Sequence, residues 1–237
     1  MTRAAPAVAL ALALAGWEAA ARIAASPTLP GPIAVLRAVP TMDGLGGDLV
    51  ASVERVVIGY LLAVAAGLAV GAVTGLSRRL GGGLGFVLNL LRPIPPIAWV
   101  PLAILWFGLG DRSAWFIVFV GAFFPIFVNV AWPLANTPAP YLELARSLGA
   151  TRWQVLTRIR LPAAAPQIVA GLRTGLGLAW TSVIAAELVG AQQGLGYRIQ
   201  MHRLTLDTEG VVASMACIGL CGYLMDLGAR ALERRLA

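Results

Sequence analysis

Lysine is absent from the sequence, histidine occurs once (His202) and cysteine twice (Cys217 and Cys221). Each shortage removes a class of function. A Walker-type phosphate-binding loop places a lysine behind its glycine-rich turn, so the chain is not a conventional P-loop ATPase. A lone histidine gives little from which to assemble a nucleophilic triad or a catalytic metal centre, and no catalytic residue, metal or cofactor is expected in this chain. Cys217 and Cys221 fall one helical turn apart in an apolar block. They are either a metal or redox pair or two small packing residues, and no further cysteine is present to complete a site. Charge is scarce too, at 12% of residues against about 25% in a soluble domain.

Apolar residues fill the gap. They make up 59% of 237 residues, and the mean hydropathy is +0.81. A soluble chain of this length cannot hide so much apolar surface, whereas lipid solvates it. The net charge of +7 rests on arginine alone. Those arginines sit between apolar blocks and not on one basic face, which points to membrane topology rather than to nucleic acid.

Six segments are long and apolar enough to cross a bilayer: Pro6–Ala25, Val53–Leu76, Gly83–Phe107, Ala114–Leu134, Ala163–Val189 and Val211–Ala229. The third contains Arg92, Pro93, Pro95, Pro96 and Pro101. It is expected to be kinked or partly unwound and to line a pathway, because carbonyls freed at that depth need a neighbouring helix or a water-lined cavity. With the N-terminus inside, Arg3, Arg78, Arg79, Arg146, Arg152, Arg158, Arg160, Arg230, Arg234 and Arg235 fall on the cytoplasmic side. Arg22, Arg37, Arg112, Arg198 and Arg203 fall outside. This excess places both termini in the cytoplasm. The first segment has a competing reading as a secretory signal peptide, given Arg3, an Ala/Leu run and small residues near Ala24 and Ala25; Glu18 and Arg22 are unusual in a signal core. Gly67, Gly71 and Gly75, spaced by four, predict a smooth strip for close helix packing.

Residues 136–162 differ from the rest. The spacing predicts a short helix over Tyr141–Leu148, stopped by Gly149 in a left-handed cap. Thr151 is the N-cap of a second short helix through Arg158, and Pro162 suits the first turn of the next span. A compact helix–turn–helix of this kind is either a docking knob for a cytosolic partner or an interfacial amphipathic loop.

The same stretch resembles the EAA loop of ABC importer permeases: Glu143, Leu144 and Ala145, then Gly149, then Ile159, Leu161 and Pro162 at the family's spacing, with Leu144 the one departure. LRPIPPIAWVPLAILWFGLG (Leu91–Gly110), GAFFPIFVN (Gly121–Asn129), AAELVGAQQGLGYRI (Ala185–Ile199) and the closing RALERRL are similar to the sulfonate, nitrate and taurine branch. The resemblance runs from about Ser52 to the C-terminus. It implies an all-α polytopic bundle of about six transmembrane helices with a cytoplasmic coupling helix, the type I importer permease fold, as one domain over 1–237. The coupling residues would be Glu143, Ala145, Gly149, Ile159, Leu161 and Pro162. The implied partners are a second copy, two ATPase subunits that bind ATP and magnesium, and a periplasmic or lipid-anchored substrate-binding protein in the bacterial inner membrane. Members import small, mostly anionic compounds, and sulfonate, taurine, nitrate and bicarbonate carriers share these motifs. A self-contained secondary transporter or channel is the competing reading; such proteins often show broken helices at matching places in two halves, and only one Pro-rich break is visible here.

Arg55, Arg92, Arg173, Glu187 and Asp226 fall in or near apolar segments, where charge faces a cavity or a partner. Arg92 either attracts an anion or snorkels to the cytoplasmic interface. Arg173 faces either the central interface or a packing partner, and Glu187 caps a loop or meets the binding protein. Trp99, Trp106, Phe123 and Phe124 line a pathway or serve as packing and interfacial aromatics. The candidate pathway set is Arg92, Trp99, Phe123, Phe124, Arg173 and Glu187.

Overall fold

Helices form wherever the apolar blocks run, because lipid leaves each backbone donor and acceptor to be satisfied within its own segment. The computed structural model describes residues 5–236, without the side chains of residues 6, 78, 232 and 234–236. Arg3 of the cytoplasmic set lies outside the described residues, as do the side chains of Arg78, Arg234 and Arg235. Among the described residues there is no strand. The order is α1 (Ala5–Ala24), α2 (Pro32–Ala38), α3 (Leu45–Leu76), α4 (Arg78–Leu91), α5 (Val100–Phe107), α6 (Asp111–Ala135), α7 (Ala139–Ser147), α8 (Arg152–Val155), α9 (Leu161–Gly190), α10 (Leu195–Leu204) and α11 (Thr208–Leu236).

The middle of the bundle is α6, clasped between α3 and α9. Glycine makes the approach possible. A Cβ on Gly67 would lie 2.7 Å from Ile126, one on Gly71 2.7 Å from Val130, and one on Gly75 2.6 Å from the carbonyl of Ala131. The predicted strip therefore packs against α6, backbone to side chain. On the other flank, Gly175 of α9 takes Ile126 at 2.9 Å. Val118, Ala122, Phe123, Ile126, Phe127 and Val130 form the core between them.

These pairings fix direction. Gly59 meets Val118 and Gly75 meets Leu134, so α3 and α6 run parallel. The chain between them must return from one end of the bundle to the other. That return is the Pro-rich segment, in which residues 79–91 and 96–107 are bent by 89°. It is a broken crossing, as its prolines predict. Pro95 is extended (φ −64°, ψ 144°), the conformation imposed on a residue that precedes proline, and a 3-10 turn at Pro96–Trp99 restarts the helix. Among the described residues five helices, α1, α3, α6, α9 and α11, are long and apolar enough to cross a membrane, six if the bent pair counts as one span, and residues 76, 136–160 and 236 share one end.

Two expectations shift. The second helix begins at Leu45, eight residues before the predicted Val53, because its polar first turns are buried against protein and not exposed in a loop. The second short helix of the loop does not end at Arg158. It continues through a π-helical turn, Leu156–Arg160, into α9. Pro162 cannot donate to residue 158, and the wider turn, with Leu161 N–H on the Leu156 carbonyl, carries the chain past that break.

Candidate functional site

Two polar regions lie at opposite ends of the bundle. At the first, Asp48, Ser52 and Arg55 recur at i, i+4 and i+7 on one face of α3. They meet the segment where α9 ends and α10 begins. Glu187 is 1% exposed. Its Oε1 accepts from Arg55 Nη1 at 2.7 Å and from Ser52 Oγ at 2.8 Å, and its Oε2 accepts the Gly196 N–H at 2.9 Å. Asp48 accepts the Gly194 N–H and Ser52 the Leu195 N–H, each at 2.9 Å. Three successive amides at the start of α10 thus meet side-chain oxygens, where orphan donors and the helix dipole favour negative charge. Arg55 also donates to Asp111 at 2.8 Å and to the Gln193 carbonyl, and Arg198 of α10 donates to Asp48 at 2.6 Å. A Cβ on Gly196 would stand 2.6 Å from the Ile184 carbonyl, so the chain enters α10 only with glycine there.

At the opposite end an open cleft of about 920 Å³ lies between α3, α4, α6 and the 136–160 loop. Gly81, Gly85, Asn89 and Arg92 mark the face of α4 that lines it, and Arg146 and Arg160 stand at its loop side. No acidic residue lines it. A second cleft of about 260 Å³, lined by Pro95, Pro96, Phe124, Asn129 and Leu178, shares Arg92 and Val128 with the first.

The loop closes this end. Gly149 has φ +73°, and the N–H groups of Gly149 and Ala150 bond back to Arg146 and Ala145 at 3.0 and 2.9 Å. This is the paired-bond cap that ends a helix on a left-handed glycine. Thr151 and Gln154 then cap α8 reciprocally, at 3.3 and 2.8 Å. Two helices are held at a fixed angle, with Tyr141, Leu144, Leu148 and Trp153 exposed. Water does not favour that surface.

The predicted residues divide. Glu143, Ala145 and Gly149 lie on the knob, Glu143 exposed and Ala145 buried beneath it; Ile159 is half-buried, while Leu161 and Pro162 are exposed at the root of α9. Arg92 and Phe124 come together at the small cleft. Trp99 and Phe123 do not join them: Trp99 packs on Phe116, and Phe123 is buried in a stack with Phe119 and Phe127. Arg173 pairs with Asp226 at 2.9 Å on the α9–α11 flank. Glu187 lines neither cleft; its carboxylate accepts the Gly196 N–H and holds the 191–196 segment. Sequence reading missed Asp48 and Ser52, although their spacing with Arg55 was a visible signal. It also missed Asn89 and Asn129.

A bundle of apolar helices with polar clefts between them and a structured loop at one end is the architecture of a membrane permease. The family described as "binding-protein-dependent transport system inner membrane component" matches residues 59–237. The chain belongs to that family, among the ABC transporter permeases. It is 40% identical to a putative ABC transporter permease of Methanocaldococcus jannaschii, covering 94% of this chain and 87% of that one. It is 38% identical to the taurine transport system permease protein of Escherichia coli, over 93% and 83%, and 38% identical to the nitrate import permease protein of Synechococcus elongatus, over 92% and 84%. The fold matches an inward-facing MetNI methionine ABC transporter with a TM-score of 0.69 at 20% identity, covering 84% of this chain and 98% of that one.

Proposed function

We propose that the chain is the membrane-spanning half of an ATP-driven importer for a small anionic solute of the sulfonate, taurine, nitrate or bicarbonate kind. An external binding protein, periplasmic or lipid-anchored, delivers the solute. Two copies pair in the bacterial inner membrane, because one six-crossing unit supplies a single wall and alternating access needs two. Two separate subunits bind and hydrolyse ATP with magnesium. The loop end and both termini face the cytoplasm, a reading supported by the arginine excess there. The whole chain acts as one transmembrane unit, with 136–162 as its coupling loop. The names of the relatives support the solute class.

The observation that carries this reading is the knob itself. Its angle is set by Gly149 and the Thr151–Gln154 caps, it presents four large apolar residues outward, and it is continuous through the π-turn with a helix that crosses the bundle. Force applied to such a knob moves α9 as a rod, whereas a floppy loop would absorb it.

The test is affinity capture of the tagged chain from its host. The wild type is expected to bring down an ATPase subunit. Gly149→Arg is expected to lose it, since a Cβ at positive φ costs roughly 1–2 kcal/mol and the long side chain adds bulk and charge at the docking face. Gly149→Asn, which tolerates the left-handed region, is expected to retain it. Solute uptake by the purified chain alone in liposomes would overturn the proposal.

A further inference from the structure

Arg55, Arg173, Arg198 and Arg230 each hold a carboxylate. Arg92 and Arg146 are exposed and Arg160 is half-buried, and the three share one cleft. Among the described residues none of them takes part in an ion pair. All three line the large inner cleft, and neither cleft carries an acidic residue. Arg160 reaches only the Leu134 carbonyl, at 3.4 Å, and its buried Nε has no partner.

The neutral groups beside them point the same way. Asn89, Asn129 and Asn136 each use Nδ2 to donate to a carbonyl of their own helix, at 2.8, 2.9 and 2.8 Å. An amide nitrogen has two hydrogens, so each asparagine keeps one donor for a ligand. Arg92 stands where the two clefts meet, at the elbow of the broken crossing. Guanidinium is charged at every physiological pH and offers a planar fork that fits oxyanions. A cleft with low-dielectric walls concentrates the field of like charges.

We propose that these clefts form an anion-selective exit path. Arg92 is the contact at the neck that admits a small oxyanion, and Arg146 and Arg160 draw it towards the cytoplasmic mouth. The inference rests on the importer reading above and deepens it: the permease itself discriminates by charge, in addition to any selection by the binding protein. A solute of equal size without an oxyanion group meets no favourable contact at the neck.

The experiment reconstitutes the permease with its ATPase and binding protein in liposomes and follows ATP-driven uptake of nitrate, bicarbonate, methanesulfonate and taurine, the last a zwitterion whose sulfonate is the anionic group. For whichever of these the wild type carries, Arg92→Gln is expected to lower uptake roughly tenfold or more, the scale of one lost charge-assisted hydrogen bond. ATP hydrolysis stimulated by the binding protein is expected to stay within about twofold, because Arg92 holds no structural partner, and Arg92→Lys is expected to restore part of the uptake. Arg160→Gln is expected to give a smaller loss of the same kind. Uptake unchanged in Arg92→Gln, or uptake and hydrolysis falling together, would overturn the path. A defect seen in phosphatidylglycerol liposomes and absent in pure phosphatidylcholine would assign the arginines to lipid headgroups and overturn it as well. If the wild type hydrolyses ATP but moves none of the four solutes, the solute class itself is wrong, and the exit path falls with it.

Discussion

The two ends of the bundle use arginine in opposite ways. At the α10 end, Arg55 is 6% exposed and every charge around it is matched, by Glu187, by Asp111 and by the amides of 194–196. At the loop end, Arg92, Arg146 and Arg160 face open space without a carboxylate. A buried charge must be compensated or the fold fails. Arg92 and Arg146 are exposed and Arg160 half-buried, so solvent can carry their charge and the fold does not depend on pairing them. The first end is a staple joining α3, α6, α9 and α10; the second is an open, positively lined cleft beside the exposed loop.

The comparison breaks most sharply at Glu187. Glu187→Ala strips Arg55 of its buried partner and leaves Ser52 and the Gly196 amide unsatisfied. Removing one member of a buried pair costs about 3–5 kcal/mol, so the variant is expected to be lost from the membrane or to elute as aggregate by size exclusion in detergent. Replacing both Glu187 and Arg55 with methionine is expected to recover little, because the Ser52 hydroxyl, the Gly196 amide and the Gln193 carbonyl lose their partners. Full recovery would mean that the knot is dispensable. Arg92→Met, by contrast, should leave the melting temperature near that of the wild type.

Between the two ends the connection is steric. Gly71→Val puts a branched side chain where a Cβ already lies 2.7 Å from Val130 and 3.0 Å from the Phe127 carbonyl. Overpacking of this kind costs about 1–3 kcal/mol, visible as a lowered melting temperature with the protein still folded. The same substitution at Gly82, inside α4 where nothing stands within 4 Å, should leave the melting temperature unchanged or slightly raised, because valine is a better helix former than glycine. Equal effects at the two positions would show that α3 and α6 do not approach this closely.

Much of this was legible in the sequence for physical reasons that differ by region. The candidate crossings follow from apolar length, the break at residues 92–96 from proline's missing donor, and the Gly149 and Thr151 caps from local backbone preference. Each is a local rule. The closing of the knot was not legible, because it depends on α3 and the 187–198 segment meeting in space across more than 130 positions of chain. Glu187, Gly194 and Gly196 stood in a motif that marked the family, yet their purpose appears only beside Asp48, Ser52 and Arg55. Aromatics misled in the other direction. Phe123 and Phe124 are neighbours, but a helix turns adjacent residues about 100° apart, so one is core and the other faces the cleft with Arg92.

The finest version of the comparison lies within the single guanidinium of Arg55. Its Nη1 meets Glu187, whose side chain is fully buried, and its Nε meets Asp111, whose side chain is 59% exposed, at almost equal distances of 2.7 and 2.8 Å. Geometry alone would rank the two bonds together. Solvent separates them: water can replace Asp111 at the rim, and nothing can replace Glu187. Asp111→Asn also keeps an oxygen to accept from Nε and loses only the charge at the first turn of α6, a minor term near the surface. The expected cost is under about 1 kcal/mol, the range of exposed pairs, read as a shift of a few degrees or less in melting temperature. A loss as large as that of Glu187→Ala would mean that the rim is sealed from water in the assembled protein and that the staple extends to α6 with full force.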